Sequence, residues 1–347
     1  MPNEILNIQL SVACPICQGA TSRSICSYTP EQAAQAFAPR NITPLQHKQV
    51  VDKLNDIWYR DSCHILKCDD CEFAFTAPFK SGDAEFYELI SPSTHYPTRK
   101  WEFDRTLQAL RPLDVKSLNV VEIGAGSGVF LQMLKDHGCS TDHLFATEFS
   151  NAGRSAIAKR GIACSPEDFR RLGSERTFDA VCMFQVLEHL DDYQGVFDAL
   201  GRITRPGSHL FVAVPYGEWT ARNERTGLLL DVPPNHISRW WPRSVECLAD
   251  RFGWDVESCE IEPPNLRQDV ALSVASRFVR KSQDETSWEN RVRRLAQKVG
   301  NSSLSKLIKL FGAATSSSCI AAAIAPVVHG PMSHSVWAHL RRPLASA

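Results

Sequence analysis

The feature that most constrains the fold is a regular alternation of strand-like and helix-like segments that begins at Leu118. Short apolar runs alternate with amphipathic runs in the order LNVVEIG, GVFLQMLKDHG, HLFATEF, AGRSAIAKRG, FDAVCMF, YQGVFDALGRI and SHLFVAVP. Strands that alternate with helices in this way predict βαβ units, in which helices cover a parallel sheet. We therefore expect an α/β protein with helices on both faces of its sheet.

The chain has 347 residues, which is enough for one large core and a smaller module. The strand–helix series and the loops that follow it occupy residues 118–262. Residues 1–79 are rich in cysteine and predict a separate small module. A loop-rich connector and one helix are expected over residues 80–117, and a helical insert with a final strand in SHSVWAHLRRP over residues 263–347.

Part of the C-terminal segment has an unusual charge pattern. Residues 277–309 carry nine Lys or Arg against three Asp or Glu, whereas residues 310–330 carry none of these charged residues. Gly312 and Pro326 make the uncharged stretch a poor membrane-spanning helix despite its length. We expect no transmembrane segment but a helix pair that is buried or lies on a surface, with membrane contact as the less favoured alternative.

Overall charge and the N-terminal sequence indicate the class of partner and the compartment. The net charge is -1 and the sequence pI is about 6.8, so no global positive field favours nucleic acid. We therefore expect a small-molecule partner. The first ten residues, MPNEILNIQL, lack the features of a secretory signal, which predicts a cytoplasmic, reducing location. In such a location cysteines serve as metal ligands or as buried apolar residues rather than in disulfides.

Four of the twelve cysteines form two CxxC pairs. The pairs are Cys14/Cys17 and Cys68/Cys71. Two such pairs can place four thiolates tetrahedrally around zinc, and four sulfur ligands leave no open position, so the metal would be structural. Such a site contributes on the order of 10 kcal/mol to the folding of a small module. The alternative is that these cysteines are simply buried. Three further residues are possible reserve ligands: Cys26, Cys63 and His64.

The segment NVVEIGAGSGVF, residues 119–130, joins the first predicted strand to the first helix. Three glycines follow the acid Glu122 at alternate positions: Gly124, Gly126 and Gly128. Val129 stands where a dinucleotide-binding GxGxxG would place its third glycine, and the chain has no GK[ST] of a P-loop. The next strand ends at Glu148, where an acid can accept hydrogen bonds from a ribose diol. The pattern favours a nucleoside-containing ligand over a merely tight turn.

An acid followed by GxGxG resembles the first motif of the class I S-adenosylmethionine-dependent methyltransferases, which have a Rossmann-like sheet. The resemblance runs in order through residues 118–262 and includes the RPG that precedes the fifth strand. It implies S-adenosylmethionine as cofactor and assigns the following contacts. Glu122 and Gly124 to Gly128 would hold its methionine part, Glu148 the ribose hydroxyls and Phe149 the adenine, while Glu167 or Asp168 would face the adenine amine and Gln185 would line the site near the fourth strand.

With its cysteine-rich start, the chain is similar to nucleotide-sugar C-methyltransferases, which begin with a zinc-binding region. This resemblance implies structural zinc and C-methylation of a nucleotide-linked sugar. Two alternatives stay open. The first is an O-methyltransferase of a phenolic or other secondary metabolite. The second belongs to another class, a non-catalytic zinc-ribbon protein that binds protein or RNA.

Two histidines are candidate catalytic residues, because a proton must leave many methyl acceptors. His189 follows the fourth strand, and its alternative role is to start a helix. His236 lies in NHISRW, which is similar to a loop of the sugar enzymes except that Asn235 replaces their Glu; the alternative for His236 is packing against a neighbouring Trp. The motif EHL also resembles quinone-pathway O-methyltransferases that bind a divalent metal through Glu, Glu and His. Gln185 takes the place of the first Glu, which argues against metal dependence.

Overall fold

A computed structural model of the chain describes residues 9–10, 12–38, 43–90, 99–226, 231–300 and 303–344. Within these residues the strands are β1 (Gln9–Leu10), β2 (Ser22–Tyr28), β3 (Cys63–Cys68), β4 (Ala74–Ala77), β5 (Val120–Ile123), β6 (Leu144–Thr147), β7 (Ala163–Ser165), β8 (Phe178–Phe184), β9 (Thr204–Pro215), β10 (Ser238–Arg239), β11 (Asp255–Ile261) and β12 (Ser335–Arg341). The α-helices are α1 (Pro30–Phe37), α2 (Pro44–Trp58), α3 (Ala84–Ile90), α4 (Trp101–Leu110), α5 (Val129–Asp136), α6 (Asn151–Lys159), α7 (Tyr193–Ile203), α8 (Gly217–Thr226), α9 (Pro242–Arg251), α10 (Leu266–Lys281), α11 (Trp288–Lys298), α12 (Ser303–Thr315) and α13 (Ser317–His329).

The larger sheet has seven strands in the order β11-β12-β9-β8-β5-β6-β7. The five strands from β9 to β7 are parallel, whereas β12 runs antiparallel to both β9 and β11. From β5 the chain builds the sheet outward through β6 and β7, then returns to place β8 on the other side of β5. Ligands of such sheets bind at the carboxyl ends of the strands where this reversal occurs. The predicted Rossmann-like α/β fold is confirmed.

Every strand and helix predicted between residues 118 and 215 is present, because each is encoded by local periodicity. Strand β5 is buried at all four positions, as expected for the centre of a parallel sheet. The helix α6 begins at Ser150, whose hydroxyl accepts a hydrogen bond from the Gly153 amide at 3.0 Å. The helix α4 ends at Leu110, just before Pro112, as the sequence predicts.

The N-terminal sheet is antiparallel, with the order β1-β2-β3-β4-β10. Its last strand does not come from residues 1–79 but from the loop after β9, where Ser238 pairs with Phe75. The two segments also share an apolar core, in which the Phe73 ring lies 4.7 Å from the Trp240 ring and 6.1 Å from the Tyr193 ring. The segments on the two sides of residue 79 therefore share one apolar core, and a second core is formed mainly by residues 26–86.

Four helices, α10 to α13, form an insert between β11 and β12. The insert buries few large side chains, chiefly Phe278 and Val292 with Cys319. The helices α12 and α13 form the helix pair that the sequence predicts. In the part of the chain that the structure describes, no single helix has the length and apolarity to cross a bilayer, and α12 and α13 meet those criteria only as a pair bent by 75°.

Candidate functional site

The glycine loop between β5 and α5 lies where the strand order of the large sheet reverses. Gly124, Gly126 and Gly128 have φ angles of 68°, 54° and 71°, in the left-handed region that favours glycine. A Cβ atom on Gly124 would lie 2.8 Å from Val186, and one on Gly128 would lie 2.9 Å from Ile157. Both the backbone conformation and the close packing therefore require the glycines that the sequence analysis singled out.

Glu122 lies in β5 just before this loop and is almost completely buried, with 3% of its surface exposed. Burial raises its pKa to about 8, although the charge of Lys100 acts in the opposite direction. Among the described residues no donor reaches its Oε2 atom. A buried carboxyl oxygen without a partner is unusual, and it fits a site for a ligand that brings a positive charge or a hydrogen-bond donor.

Glu148 lies directly after β6 and is fixed by backbone amides. Its Oε2 accepts a hydrogen bond from Gly126 at 2.8 Å, and its Oε1 accepts one from Ser150 at 2.7 Å. Each oxygen keeps a further acceptor position for a ligand hydroxyl. The next residue, Phe149, is 71% exposed, so its ring face is accessible. The structure therefore places Glu148 against the glycine loop, as the predicted ribose contact requires.

Asp168 follows β7 and is paired within the protein. Its two carboxylate oxygens accept hydrogen bonds from Nε and NH2 of Arg170, at 3.0 and 2.6 Å to Oδ2. Burial alone would raise the pKa of Asp168, but the hydrogen bonds from Arg170 outweigh it and leave that pKa lowered. Glu167, the alternative for the same contact, is exposed and has no ion pair within the part of the chain that the structure describes.

Gln185 ends β8 in a left-handed conformation, with φ of 59°, which is uncommon for a residue other than glycine. Its side-chain amide lies 3.4 Å from both Glu102 Oε1 and Ser335 Oγ. The side chain thus connects β8 to α4 and β12 at the carboxyl end of the sheet.

His189 and His236 come together although 46 residues separate them in sequence. Their ring centroids are 4.6 Å apart and the rings are nearly perpendicular, at 80°. His189 lies in the short 3-10 helix Leu187–His189, where its Nδ1 donates a hydrogen bond to the Asn235 carbonyl at 2.7 Å. Burial, followed by the neighbouring His236, lowers the pKa of His189 to about 3, so this ring is neutral near pH 7.

His236 is oriented by a buried acid. Its Nδ1 lies 2.8 Å from Oδ1 of Asp231, which is 4% exposed and also accepts a hydrogen bond from Asn223 at 3.2 Å. Burial is the largest single influence on the pKa of Asp231 and raises it, but the hydrogen bond and charge of His236, together with Arg239 and Asn223, outweigh burial and leave that pKa lowered. An ionised Asp231 holds the proton on Nδ1 of His236 and leaves Nε2 as a proton acceptor.

Glu188 completes a cluster with the two histidines. It is fully buried, and among the described residues neither of its carboxylate oxygens has a hydrogen-bond partner. Burial raises the pKa of Glu188 to about 7. One ligand atom each from Glu188, His189 and His236 lie within 4.8 Å of one another, so the three side chains could hold a cation. We call these three residues the Glu-His cluster.

The Glu-His cluster adjoins the glycine loop. Val186, whose side chain approaches Gly124, lies only two residues before Glu188. The charge of Lys100 acts on both Glu122 and Glu188. The Glu-His cluster and the glycine loop therefore lie at the same end of the sheet.

The two CxxC pairs also meet. The sulfur atoms of Cys14 and Cys71 are 3.6 Å apart, those of Cys17 and Cys68 are 3.5 Å apart, and all four lie within 4.8 Å of one another. A tetrahedral zinc with Zn–S bonds of about 2.3 Å would place its sulfurs about 3.8 Å apart, so the geometry fits that metal.

Backbone amides support the same four cysteines. The amide of Ile16 points at the Cys14 sulfur and that of Gly19 at the Cys17 sulfur, both at 3.4 Å. A hydrogen bond from Cys71 is the main reason that the pKa of Cys14 is lowered to about 5, which favours a thiolate there. The reserve ligands point elsewhere: Cys26 donates to Glu224 at 3.8 Å, and both ring nitrogens of His64 lie near serines.

Several residues of the site were not identified from the sequence. They are Tyr87, Lys100, Glu102, Glu188 and Asp231. Asp231 lies five residues before His236, and an acid so close to a candidate base was a usable signal. Glu188 belongs to the motif EHL beside His189, whereas Lys100, Glu102 and Tyr87 come from distant segments; the Tyr87 hydroxyl, from α3, lies 3.3 Å from Nδ1 of His189. No local pattern could have placed them there.

Comparison with known proteins is consistent with this architecture. Residues 95–259 match a family model described as "Methyltransferase domain". The chain is similar to the ubiquinone biosynthesis O-methyltransferase of Rhizobium rhizogenes, with 28% identity over 149 residues, or 41% of this chain and 56% of that protein. It is also similar to the mitochondrial ubiquinone biosynthesis O-methyltransferase of Dictyostelium discoideum, with 25% identity over 116 residues, or 29% of this chain and 36% of that protein.

The chain thus spans about half the length of these curated relatives or less. Among solved structures, it is similar to an S-adenosylmethionine-dependent methyltransferase from Mesorhizobium loti, with a TM-score of 0.43 and 16% identity. That similarity covers 71% of this chain and all of the other. Residues 95–259 of this chain are thus similar to a methyltransferase domain.

Proposed function

We propose that the chain is an enzyme that transfers a methyl group from S-adenosylmethionine to a small molecule, with His236 as the general base or the group that orients the acceptor. The observation that carries this proposal is the hydrogen bond between the buried Asp231 and the partly buried His236, at the same end of the sheet as the glycine loop. An imidazole whose Nδ1 is held by a carboxylate presents Nε2 as a base in a fixed direction.

The residues at the carboxyl ends of β5, β6 and β8 fit the cofactor. Glu122, with its unpartnered buried oxygen, and the glycine loop would hold the methionine part, and Glu148 would hold the ribose hydroxyls. Phe149 offers an exposed ring to the adenine, while Gln185 lines the site. Asp168 would face the adenine amine with the oxygen positions that Arg170 leaves free. When bound, S-adenosylmethionine supplies an electrophilic methyl group on a positively charged sulfur.

The chain's own residues position the acceptor and accept its proton. His236 accepts the proton at Nε2, and Asp231 stabilises the resulting charge through Nδ1. His189, which is neutral, and Tyr87 form the adjoining wall of the acceptor site. Positioned proton transfer of this kind is worth roughly 100- to 10,000-fold in rate.

A hydroxyl is the acceptor group that we favour, because the similar proteins are named O-methyltransferases. A hydroxyl also loses a proton on methylation, which gives His236 a role. The second candidate is C-methylation of a nucleotide-linked sugar, which the NHISRW loop and the paired CxxC motifs favour. That reaction would use the same base to remove a proton from carbon.

We further propose that Cys14, Cys17, Cys68 and Cys71 hold one structural zinc ion. Four thiols at tetrahedral spacing leave no open position for a substrate. The metal would stabilise the fold of residues 1–79. It would thereby also stabilise the pairing of β4 with β10, the strand that precedes α9. The remaining segments are assigned as connector and helix over 80–117, catalytic core over 118–262, and insert with final strand over 263–347.

The test is methyl transfer by the purified chain to a panel that contains phenols, other small hydroxyl compounds and nucleotide sugars. We expect turnover with at least one member, and we expect His236→Ala to lower it strongly while cofactor affinity changes little. His189→Ala is the matched control and should cost less. Failure to bind S-adenosylmethionine, together with binding of protein or RNA, would instead support a non-catalytic zinc-ribbon function.

A further inference from the structure

In the insert formed by α10 to α13, small side chains are buried and large apolar side chains are exposed, which is the reverse of the usual arrangement in a water-soluble helix. In α12 the buried positions are the small residues Ser305 and Gly312, and Gly312 approaches Val292 so closely that a Cβ atom would lie 2.4 Å from it. The large apolar residues of α12 face outward instead. These are Leu304, Leu307, Leu310 and Phe311, which are 56% to 68% exposed.

The helix α13 repeats this arrangement. Its buried side chains include Cys319 and Pro326. Its outward-facing apolar residues are Ile320, Ile324, Val327 and Val328, which are 46% to 66% exposed and follow helical spacing. Soluble surfaces rarely leave so many large apolar side chains together in water. The outward residues of α12 and α13 form what we call the outer face.

Exposed basic side chains lie on α12 and on α11, which packs against it. Arg291, Arg294 and Lys298 are exposed on α11 at positions i, i+3 and i+7, and Lys306 and Lys309 are exposed on α12. Within the described residues none of the five forms an ion pair with an acid. The neighbouring exposed acids are Asp284 and Glu285, at the turn between α10 and α11.

An aromatic residue completes the pattern. Trp288, at the start of α11, is 46% exposed, and its indole NH lies 3.1 Å from Thr315 Oγ1 and 3.3 Å from the Gly312 carbonyl. The ring thus ties α11 to α12 while its apolar part remains accessible. Trp in this position, between apolar and polar surface, is typical of the interface between membrane and water.

We propose that the outer face docks on the surface of an anionic phospholipid bilayer. Apolar side chains flanked by Lys and Arg are the pattern of helices that lie in the headgroup region. The helices do not span the bilayer, because each has 13 residues, a length of about 20 Å against about 30 Å of hydrocarbon. A second copy of this chain fits less well, because a symmetric dimer would bring two sets of unpaired basic residues together.

This inference does not depend on the proposed activity. The chain as a whole has a net charge of -1, so attraction to anionic lipid would come from the insert rather than from the overall charge. The sequence predicted membrane contact only as the less favoured alternative. The structure specifies it as a peripheral contact made by α12, α13 and the basic residues of α11.

The test is co-sedimentation of the full chain with vesicles of phosphatidylcholine alone or with 30% phosphatidylglycerol. We expect binding to the anionic vesicles at least about tenfold tighter, and weakened by high salt. An apolar variant carries four changes: Leu307→Gln, Phe311→Gln, Ile324→Gln and Val328→Gln. A charge variant carries five: Arg291→Gln, Arg294→Gln, Lys298→Gln, Lys306→Gln and Lys309→Gln. Each should lose at least about tenfold in binding to the anionic vesicles.

The matched control replaces exposed apolar residues far from the insert, with Leu45→Gln and Tyr59→Ser, which are 74% and 84% exposed. This variant should bind vesicles like the parent protein. Equal binding to both vesicle types, or unchanged binding by the charge variant, would overturn the proposal. So would a dimer, seen by sedimentation velocity without lipid, that the apolar variant dissociates, because the outer face would then belong to a second copy.

Discussion

Among the described residues, two groups of side chains could hold a cation, and they differ in how far their polar atoms are satisfied: the four cysteines of the CxxC pairs and the Glu-His cluster. Sulfurs of different CxxC pairs lie 3.5 to 3.6 Å apart, and the Cys14 and Cys17 sulfurs also accept backbone amides from their own loop. Glu188 is fully buried, yet among the described residues its carboxylate has no hydrogen-bond partner. The first group is closed, and the second is open toward whatever enters the site.

We expect the saturated cysteine ligands to stabilise the fold and the unsatisfied Glu-His cluster to act on a bound ligand. A saturated set of ligands gives its free energy to folding, because nothing remains to bind a substrate. An unsatisfied buried carboxyl and two oriented imidazoles destabilise the fold unless a ligand or a proton completes them. Changes in the first cluster should therefore affect stability first, and changes in the second should affect turnover first.

The largest effect is expected from loss of zinc. Elemental analysis should find one zinc per chain, and Cys14→Ser should lose it. Removal should destabilise the N-terminal sheet on the scale of structural zinc, on the order of 10 kcal/mol, measured as proteolysis within residues 12–77. Cys164→Ser, at a partly exposed cysteine of the large sheet, should retain the metal. If protein purified without chelator contained no zinc, the four cysteines would not be a structural metal site.

The second effect concerns the acid behind His236. Asp231→Asn keeps the size of the side chain but no longer holds the proton on Nδ1, so turnover should fall by roughly 100- to 10,000-fold. The melting temperature shows whether the fold is intact, and the affinity for S-adenosylmethionine shows whether the cofactor site is intact. Both should change little. A large drop in S-adenosylmethionine affinity, with normal turnover at saturating S-adenosylmethionine, would instead place Asp231 in the cofactor site.

The third effect is a pH dependence of stability due to Glu122. Burial raises its pKa from 4.5 to about 8, so the folded protein favours the protonated form. Its contribution to stability is full below about pH 4.5 and is lost as the pH rises toward 8, at no more than about 1.4 kcal/mol per pH unit. Urea unfolding of the cofactor-free protein should show this slope, and Glu122→Gln should reduce it. Parallel profiles for the two proteins would exclude this role of Glu122.

The smallest effect is on cofactor affinity. Glu148→Ala should weaken S-adenosylmethionine binding by about 1 to 3 kcal/mol, through loss of charge-assisted hydrogen bonds to the ribose. The exposed Glu167→Ala is the control and should bind normally. Calorimetry that finds equal affinity for a folded Glu148→Ala protein would contradict the ribose contact.

The sequence predicted those parts of the molecule that local patterns encode. The alternation of strands and helices, the glycine loop after the first strand of the large sheet, and the meeting of the CxxC pairs all follow from spacing along the chain. The shared core did not, because Trp240 and Phe73 lie in segments about 170 residues apart and neither segment's periodicity depends on the other. The β10 strand has only two residues, too few to show any alternation.

The Glu-His cluster shows the same limit. The sequence singled out His189 and His236 individually, on the basis of their places after strands, but gave no sign that their rings lie 4.6 Å apart. Their proximity arises because the Asn235 carbonyl accepts the His189 ring NH and the Ile237 amide donates to the Glu188 carbonyl at 2.9 Å. Such contacts depend on the whole fold and leave no pattern in either segment.

The central claim is that His236 of the Glu-His cluster takes up the proton that the methyl acceptor loses. It is tested most directly by measuring turnover of His236→Ala, with an acceptor identified from the panel, in the absence and presence of imidazole. We predict a loss of at least about 100-fold that added imidazole partly restores, with zinc content and cofactor affinity unchanged. Near wild-type turnover by His236→Ala, with or without imidazole, would contradict the claim.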